Sequence, residues 1–176
     1  MPMRGSLIAS SLALLALTGC ASLDKDECRM ADWRAIGLED GVKGRALERL
    51  GDHRKACAKH GVAPDTDRYI AGRTEGLATY CTPDNGYRVG RTGETYRGVC
   101  PELATPGFVA AYNRGHELYS MHARLSSVER ELNSTRESLK DGTRNPRERA
   151  SQVDRLESLS REAQQLDAEI SRLERR

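Results

Sequence analysis

A mainly α-helical fold is predicted: a small, disulfide-bridged, glycine-rich helical head followed by a long antiparallel helical hairpin of the coiled-coil type. Three observations predict it. Apolar residues recur at helical spacing behind good capping residues. Residues 28–119 hold all eight aromatics and 13 of the 16 glycines, whereas residues 116–176 hold 12 basic and 12 acidic residues and a single glycine. Four cysteines, Cys28, Cys57, Cys81 and Cys100, fall inside the aromatic and glycine-rich part. The head is therefore placed at residues 28–115 and the hairpin at 116–176. With 38% hydrophobic and 31% charged residues, the 176-residue chain is too polar for a protein that crosses a membrane several times. Its formal charge of +2 excludes a general electrostatic attraction to nucleic acid.

The amino end reads as a targeting segment. Arg4 precedes an uncharged run of 11 residues, Leu7 to Leu17. A spanning helix needs about 20, so the run is the core of a signal peptide. Leu17-Thr18-Gly19-Cys20 follows, and this resembles a bacterial lipobox. The resemblance implies that residues 1–19 are removed, that the Cys20 thiol carries diacylglycerol, and that the new amine is acylated. Several acyl chains hold a protein on a membrane where one is marginal. Residues 20–27 then form a lipidated tether. Ala21, where an Asp would direct retention at the inner membrane, favours the outer membrane, with the head facing the periplasm. The rival reading is an ordinary secretory signal with a chance cysteine.

An even number of cysteines in an exported chain reads as disulfides. Cys28–Cys57 and Cys81–Cys100 are the favoured pairs among three connectivities, because each closes a local loop. A metal site is the rival: His53, Cys57 and His60 share one helical face. No CxxC pair supports it, so no metal and no cofactor are expected, and His53 and His60 read as exposed helix residues.

Helices are predicted at about 32–44, 46–60 and 66–80. Asp32 caps the first and Asp65 the third, and Gly61 stops the second. The first two would run antiparallel and return Cys57 to Cys28. Gly37-x3-Gly41 and Gly72-x3-Gly76 look like copies of one motif, each preceded by an aromatic (Trp33, Tyr69), with a partial third copy at Tyr112 to Tyr119. Glycines four apart lie on one helical face, so close helix packing is the plain reading. The sharper one is a ligand groove floored by glycine and edged by Trp33, Asp40, Arg73 and Glu75. Residues 82–101, rich in turn residues, read as a short irregular hairpin lined by Tyr87, Val89, Tyr96 and Val99.

Thr105 and Pro106 open the next helix, whose apolar seam is Leu118, Met121, Leu125, Val128, Leu132, Thr135 and Leu139. Asp141 to Pro146 breaks it. Asn145 as cap, Pro146 and Glu148 start a second helix, with the seam Leu156, Leu159, Ala163, Leu166, Ile170 and Leu173. One hairpin buries little, so a second copy or another protein is the expected partner of these stripes.

Taken together, Asp32-Trp33, Gly37, Asp40-Gly41, Gly44, Cys57-Ala58, Pro64-Asp65, Tyr69, Gly72-Arg73, Gly76-Leu77, Tyr80-Cys81, Gly86-Tyr87, Gly90, Gly93, Tyr96 and Val99-Cys100-Pro101 resemble a family of Gram-negative lipoproteins known only as a domain of unknown function. The resemblance covers about residues 28–119. It implies an exported, cysteine-bridged helical lipoprotein and carries no activity or catalytic residues. The expected function is a lipid-anchored, non-enzymatic structural or interaction module of the cell envelope. The alternatives are a small-ligand or metal-binding lipoprotein, and an enzyme acting on cell-wall material with Asp40 and Glu75 as its carboxylates.

Overall fold

The structure is a computed structural model that describes residues 22–101, 107–140 and 145–175. Its described residues form seven α-helices and no strand: α1 (Lys25–Arg29), α2 (Trp33–Val42), α3 (Glu48–Ala58), α4 (Thr66–Tyr80), α5 (Pro83–Arg91), α6 (Phe108–Lys140) and α7 (Pro146–Glu174). None of them is long and apolar enough to cross a membrane. The signal segment, Cys20, the Thr105-Pro106 start and the turn at 141–144 lie outside the described residues.

Local chemistry sets the helix starts. The Asp32 carboxylate accepts from the Arg34 and Ala35 amides, Asp65 from Arg68, and Asn145 from Glu148 with Pro146 behind it. Gly61, with φ of +72°, ends the segment after α3 in the left-handed conformation that suits glycine. Both favoured disulfides are present, Cys28–Cys57 and Cys81–Cys100, with Cα atoms 5.4 and 5.5 Å apart. Closing loops of 29 and 19 residues constrains the unfolded chain by about 3–4 kcal/mol each in the loop-entropy account.

Four expectations are corrected. The stretch 82–101 is not a hairpin of strands: Thr82 caps, Pro83 opens, and Pro83–Arg91 is a helix. Of the lipidated tether expected at 20–27, the part from residue 22 onward is folded against the head. Asp24 caps α1 in a reciprocal capping box with Glu27, Leu23 packs on the core, and Cys28 is held to Cys57. The main partner of α2 is α4, not α3; the first disulfide instead joins α1 to α3. Finally, Gly37-x3-Gly41 and Gly72-x3-Gly76 are not copies of one motif. They are the two faces of one contact. A β-carbon on Gly37 would overlap the Tyr69 carbonyl, one on Gly41 the Arg73 carbonyl, one on Gly72 the Arg34 carbonyl and one on Gly76 the Leu38 carbonyl. The two backbones touch, which only glycine permits at these positions.

The true repeat is between helix pairs. α5 and α6 pack as α2 and α4 do, with Gly86 against the Phe108 carbonyl, Gly90 against Tyr112 and Gly115 against Tyr87. The spacing Gly37, Gly41, Gly44 recurs as Gly86, Gly90, Gly93, and Tyr69, Gly72, Gly76, Tyr80 recurs as Phe108, Ala111, Gly115, Tyr119. Gly44 and Gly93 both have positive φ (+62° and +73°), and each lies under a tyrosine ring, Tyr80 and Tyr119 respectively. One disulfide and one apolar cluster lie beside each pair, and the second cluster also takes in Leu77 and Tyr80 from the end of α4. The first holds Cys28, Trp33, Leu50, Cys57 and Tyr69; the second holds Leu77, Tyr80, Cys81, Val89, Cys100 and Phe108.

Beyond the second pair α6 continues without a break, 33 residues in all, or about 50 Å. Val128 and Leu132 of α6 are buried with Leu159 of α7, flanked by Leu156, Ala163 and Leu166. Arg124 donates to Glu162 at 2.7 Å and Arg155 to Glu131 at 2.8 Å.

Candidate functional site

The polar residues buried in the head converge at one point. Asp40 of α2 is 7% exposed and His53 of α3 is 2% exposed. His53 Nε2 lies 2.8 Å from Asp40 Oδ2, and the Tyr69 hydroxyl of α4 donates to the same oxygen at 2.8 Å. The other face of the imidazole is met by Ser22: its Oγ is 3.1 Å from His53 Nδ1. Trp33 and Tyr69 flank the ring, with centroids 6.5 and 5.9 Å from that of His53.

Helical geometry assembles this cluster. Asp40 falls between Gly37 and Gly41, so it lies beside the contact of α2 with α4 and reaches Tyr69 there. His53 sits one turn before Cys57, and the disulfide holds that turn against α1, which follows Ser22 in the chain. The electrostatics follow from burial and donors. Burial pushes the Asp40 carboxyl upward, but hydrogen bonds from His53 and Tyr69, with the charges of His53 and Arg49, outweigh it, and the net shift is downward. Asp40 is therefore a carboxylate at neutral pH. Burial, and then the bond to Asp40, raises the Tyr69 phenol. Arg49 adds charge from the rim, and its Nε is buried without a hydrogen-bond partner. With Asp40 ionised, His53 donates through Nε2 and its Nδ1 is left to Ser22.

The second helix pair shows what this cluster replaces. The positions of Asp40, His53, Cys57 and Tyr69 correspond to Val89, Tyr96, Cys100 and Phe108. There the contacts are apolar: Val89 and Phe108 are buried, and the Tyr96 and Phe108 rings lie 5.0 Å apart. The fold does not need a charge at this place, so the ionised cluster is particular to the first pair.

The four residues read from the sequence as a ligand groove do not line one. Asp40 turns inward to His53 and Tyr69, and Trp33 is buried beside them. Arg73 donates to the Arg45 carbonyl at 2.8 Å, and Glu75 is exposed and pairs with Arg34 at 2.8 Å. The helices touch along the glycines, which leaves no space for a floor. Nor is His53 an exposed residue; the Asp40 bond and the wall of Trp33 draw it in. Cys57 is in a disulfide, so it offers no thiolate to a metal alongside His53 and His60. A separate groove of about 500 Å³ lies where α5, α6 and the end of α7 meet, lined by Pro83, Tyr87, Arg114, Leu118, Leu173 and Glu174 among others. Sequence reasoning passed over Ser22 and Tyr69 as parts of a cluster. For Tyr69 the only signal is its apolar counterpart, Phe108, at the matching place in the repeat; Ser22 has none.

The fold and this cluster define a class: a disulfide-bridged helical head built from two glycine-packed pairs, one with an ionised core and one without. Residues 32–117, from the cap of α2 to the first turns of α6, match the model of a family described as protein of unknown function (DUF2799). The match covers both glycine-packed pairs and stops before most of the residues that pair α6 with α7. No curated protein and no solved structure matches the chain.

Proposed function

We propose that the protein is a lipid-anchored module of the cell envelope, bound to the outer membrane through Cys20 and facing the periplasm, whose helical arm engages a protein partner. The two disulfides support export, since they persist in oxidising compartments. In this reading residues 116–176 form an antiparallel coiled-coil hairpin. The order of the pairs Arg124–Glu162 and Glu131–Arg155, and the approach of Glu174 to Arg91 and His122, support it. The observation that carries the reading is α6. One helix belongs both to the bridged head and to the arm, so an anchored head presents a stiff projection and not a loose tail.

The test is cross-linking in cells of the full chain and of a chain lacking residues 120–176, with peptide mapping to verify acylated Cys20 and both bridges. Cross-linked partners lost with the arm support the reading; identical partners in both chains, or a soluble chain with an unmodified Cys20, overturn it.

One observation favours a second reading. Ser22, His53 and Asp40 stand in the order hydroxyl, imidazole, carboxylate, the order that lets a histidine take the proton of an attacking serine. Here Nδ1 faces the serine and Nε2 the carboxylate. A fluorophosphonate probe that labels Ser22 in the native chain, and not in His53→Gln, would establish hydrolytic reactivity; absence of labelling in the native chain removes it.

A further inference from the structure

We infer that the head is seated directly on the bilayer surface with the α1 side down, the headgroup layer being the partner of that face. The inference rests on the acylation of Cys20 proposed above. It is carried by how early in the chain the head becomes fixed.

Ser22 is bonded to the buried His53. Leu23 packs against the cluster of Cys28, Trp33, Leu50, Cys57 and Tyr69. Asp24 caps α1 through the Asp26 and Glu27 amides, each 2.8 Å from its Oδ1, and the Asp24 amide donates to Glu27 at 2.7 Å. Cys28 ties the helix to α3. No slack remains after residue 22. Cys20 is two residues upstream, and two residues span at most about 7 Å. The headgroup layer of one leaflet is about 5–8 Å thick. A diacylglyceryl group on Cys20, with its chains in the hydrocarbon, therefore holds Ser22 at the outer edge of the headgroups or within several ångströms of it, the length the thioether and glyceryl carbons add. Even fully stretched, residues 22–24 and the α1 segment place Met30 within about 16 Å of Ser22.

The chemistry of that face fits an apolar contact that draws nothing from cationic side chains. Met30, at the end of α1, is the most exposed large apolar side chain among the described residues, at 86%. Lys25 and Arg29 are outnumbered by Asp24, Asp26 and Glu27, which leaves this segment one negative charge. The face thus has no excess of positive charge with which to select anionic lipid, and it owes its seat to the short covalent reach and to Met30.

The chain beyond residue 19 has two methionines, Met30 beside the anchor and Met121 in α6, so the native sequence carries its own probe and reference. The acylated full chain is bound to vesicles of phosphatidylethanolamine and phosphatidylglycerol and exposed to a brief hydroxyl-radical pulse. Sulfoxide at the two methionines is then read by peptide mass and compared with an unanchored Cys20→Ala chain. Seating predicts that the Met30 to Met121 oxidation ratio falls at least threefold on the vesicle. A flexible Gly/Ser insertion of twelve residues between Ala21 and Ser22 is expected to restore it while binding persists. An unchanged ratio in acylated, vesicle-bound protein overturns the seat and leaves the lipoprotein reading standing. A chain whose Cys20 is not acylated overturns both.

Discussion

Replacing Gly72 and Gly51 by alanine, one at a time, separates the two effects that a glycine in a helix combines. Both lie inside helices, α4 and α3. On propensity alone, each substitution should stabilise by about 0.5–1 kcal/mol. Around Gly51 a β-carbon would find nothing within 4 Å, so Gly51→Ala should deliver that gain. Around Gly72 the β-carbon would overlap the Arg34 carbonyl and come 3.0 Å from the Leu38 amide nitrogen. These are backbone atoms, so relief requires α2 and α4 to move apart. Overpacking of this kind costs about 1–3 kcal/mol or more, and the same movement loosens Tyr69 from Asp40. Net of propensity, Gly72→Ala should lose about 1 kcal/mol, within a range of about 0–2.5. The two variants should therefore differ by about 2 kcal/mol, or about 8–16 °C in midpoint for a unit of this size. The assay is urea and thermal unfolding followed by fluorescence of Trp33, the single tryptophan of the chain, which reports the first pair and not the arm. Equal midpoints for the two variants, or a Gly72→Ala protein more stable than the parent, would refute the backbone-contact argument.

Three further outcomes follow from the same structure. Asp40 has a lowered pKa in the folded protein, so its contribution is present above the unfolded carboxylate pKa of about 3.9 and is lost as pH falls through the folded value. Asp40→Asn should lower the urea midpoint at pH 7 by the equivalent of about 1–3 kcal/mol, with the gap to the parent closing below about pH 4; a pH-independent gap contradicts the ionised cluster. Replacing Cys81 and Cys100 together by serine should cost about 3 kcal/mol or more in a transition followed by near-ultraviolet tyrosine signals, with the Cys28–Cys57 bridge intact on peptide mapping. Leu159→Ala empties part of the Val128 and Leu132 cluster and should cost about 2–4 kcal/mol. It should lower the far-ultraviolet helix signal or its midpoint without moving the Trp33 transition; a shared shift would mean that arm and head unfold as one.

The helix caps at Asp32, Asp65 and Asn145, the two bridges and the α7 start were legible because each depends on a few neighbouring residues. The glycine contacts were legible as close packing, yet their partners were misread. Spacing shows which glycines share a face but not which helix that face meets. α5 was missed because Gly86 and Gly90 look like breakers in isolation. The same Gly-x3-Gly-x2-Gly spacing at Gly37, Gly41 and Gly44, together with the Thr82-Pro83 start, is the pattern that could have placed it. The Asp40, His53, Tyr69 and Ser22 cluster draws on three helices and the segment before them. Its members are 13 to 31 residues apart in the directly bonded pairs, and no local period marks such a convergence. Glu75 shares its helix with Tyr69 but points to solvent, which is why pairing it with Asp40 failed.

In the proposed reading of an anchored head with a helical arm, the unbroken course of α6 makes that arm a lever. Its fulcrum is the touch between Gly90 and the Tyr112 carbonyl and between Gly115 and the Tyr87 carbonyl. The arm beyond Tyr119 adds more than twenty residues, or over 30 Å of moment. A sideways pull at its tip is therefore delivered, magnified, to the second bridged pair. Cys81–Cys100 stands beside that pivot, where a covalent clasp resists being pried open.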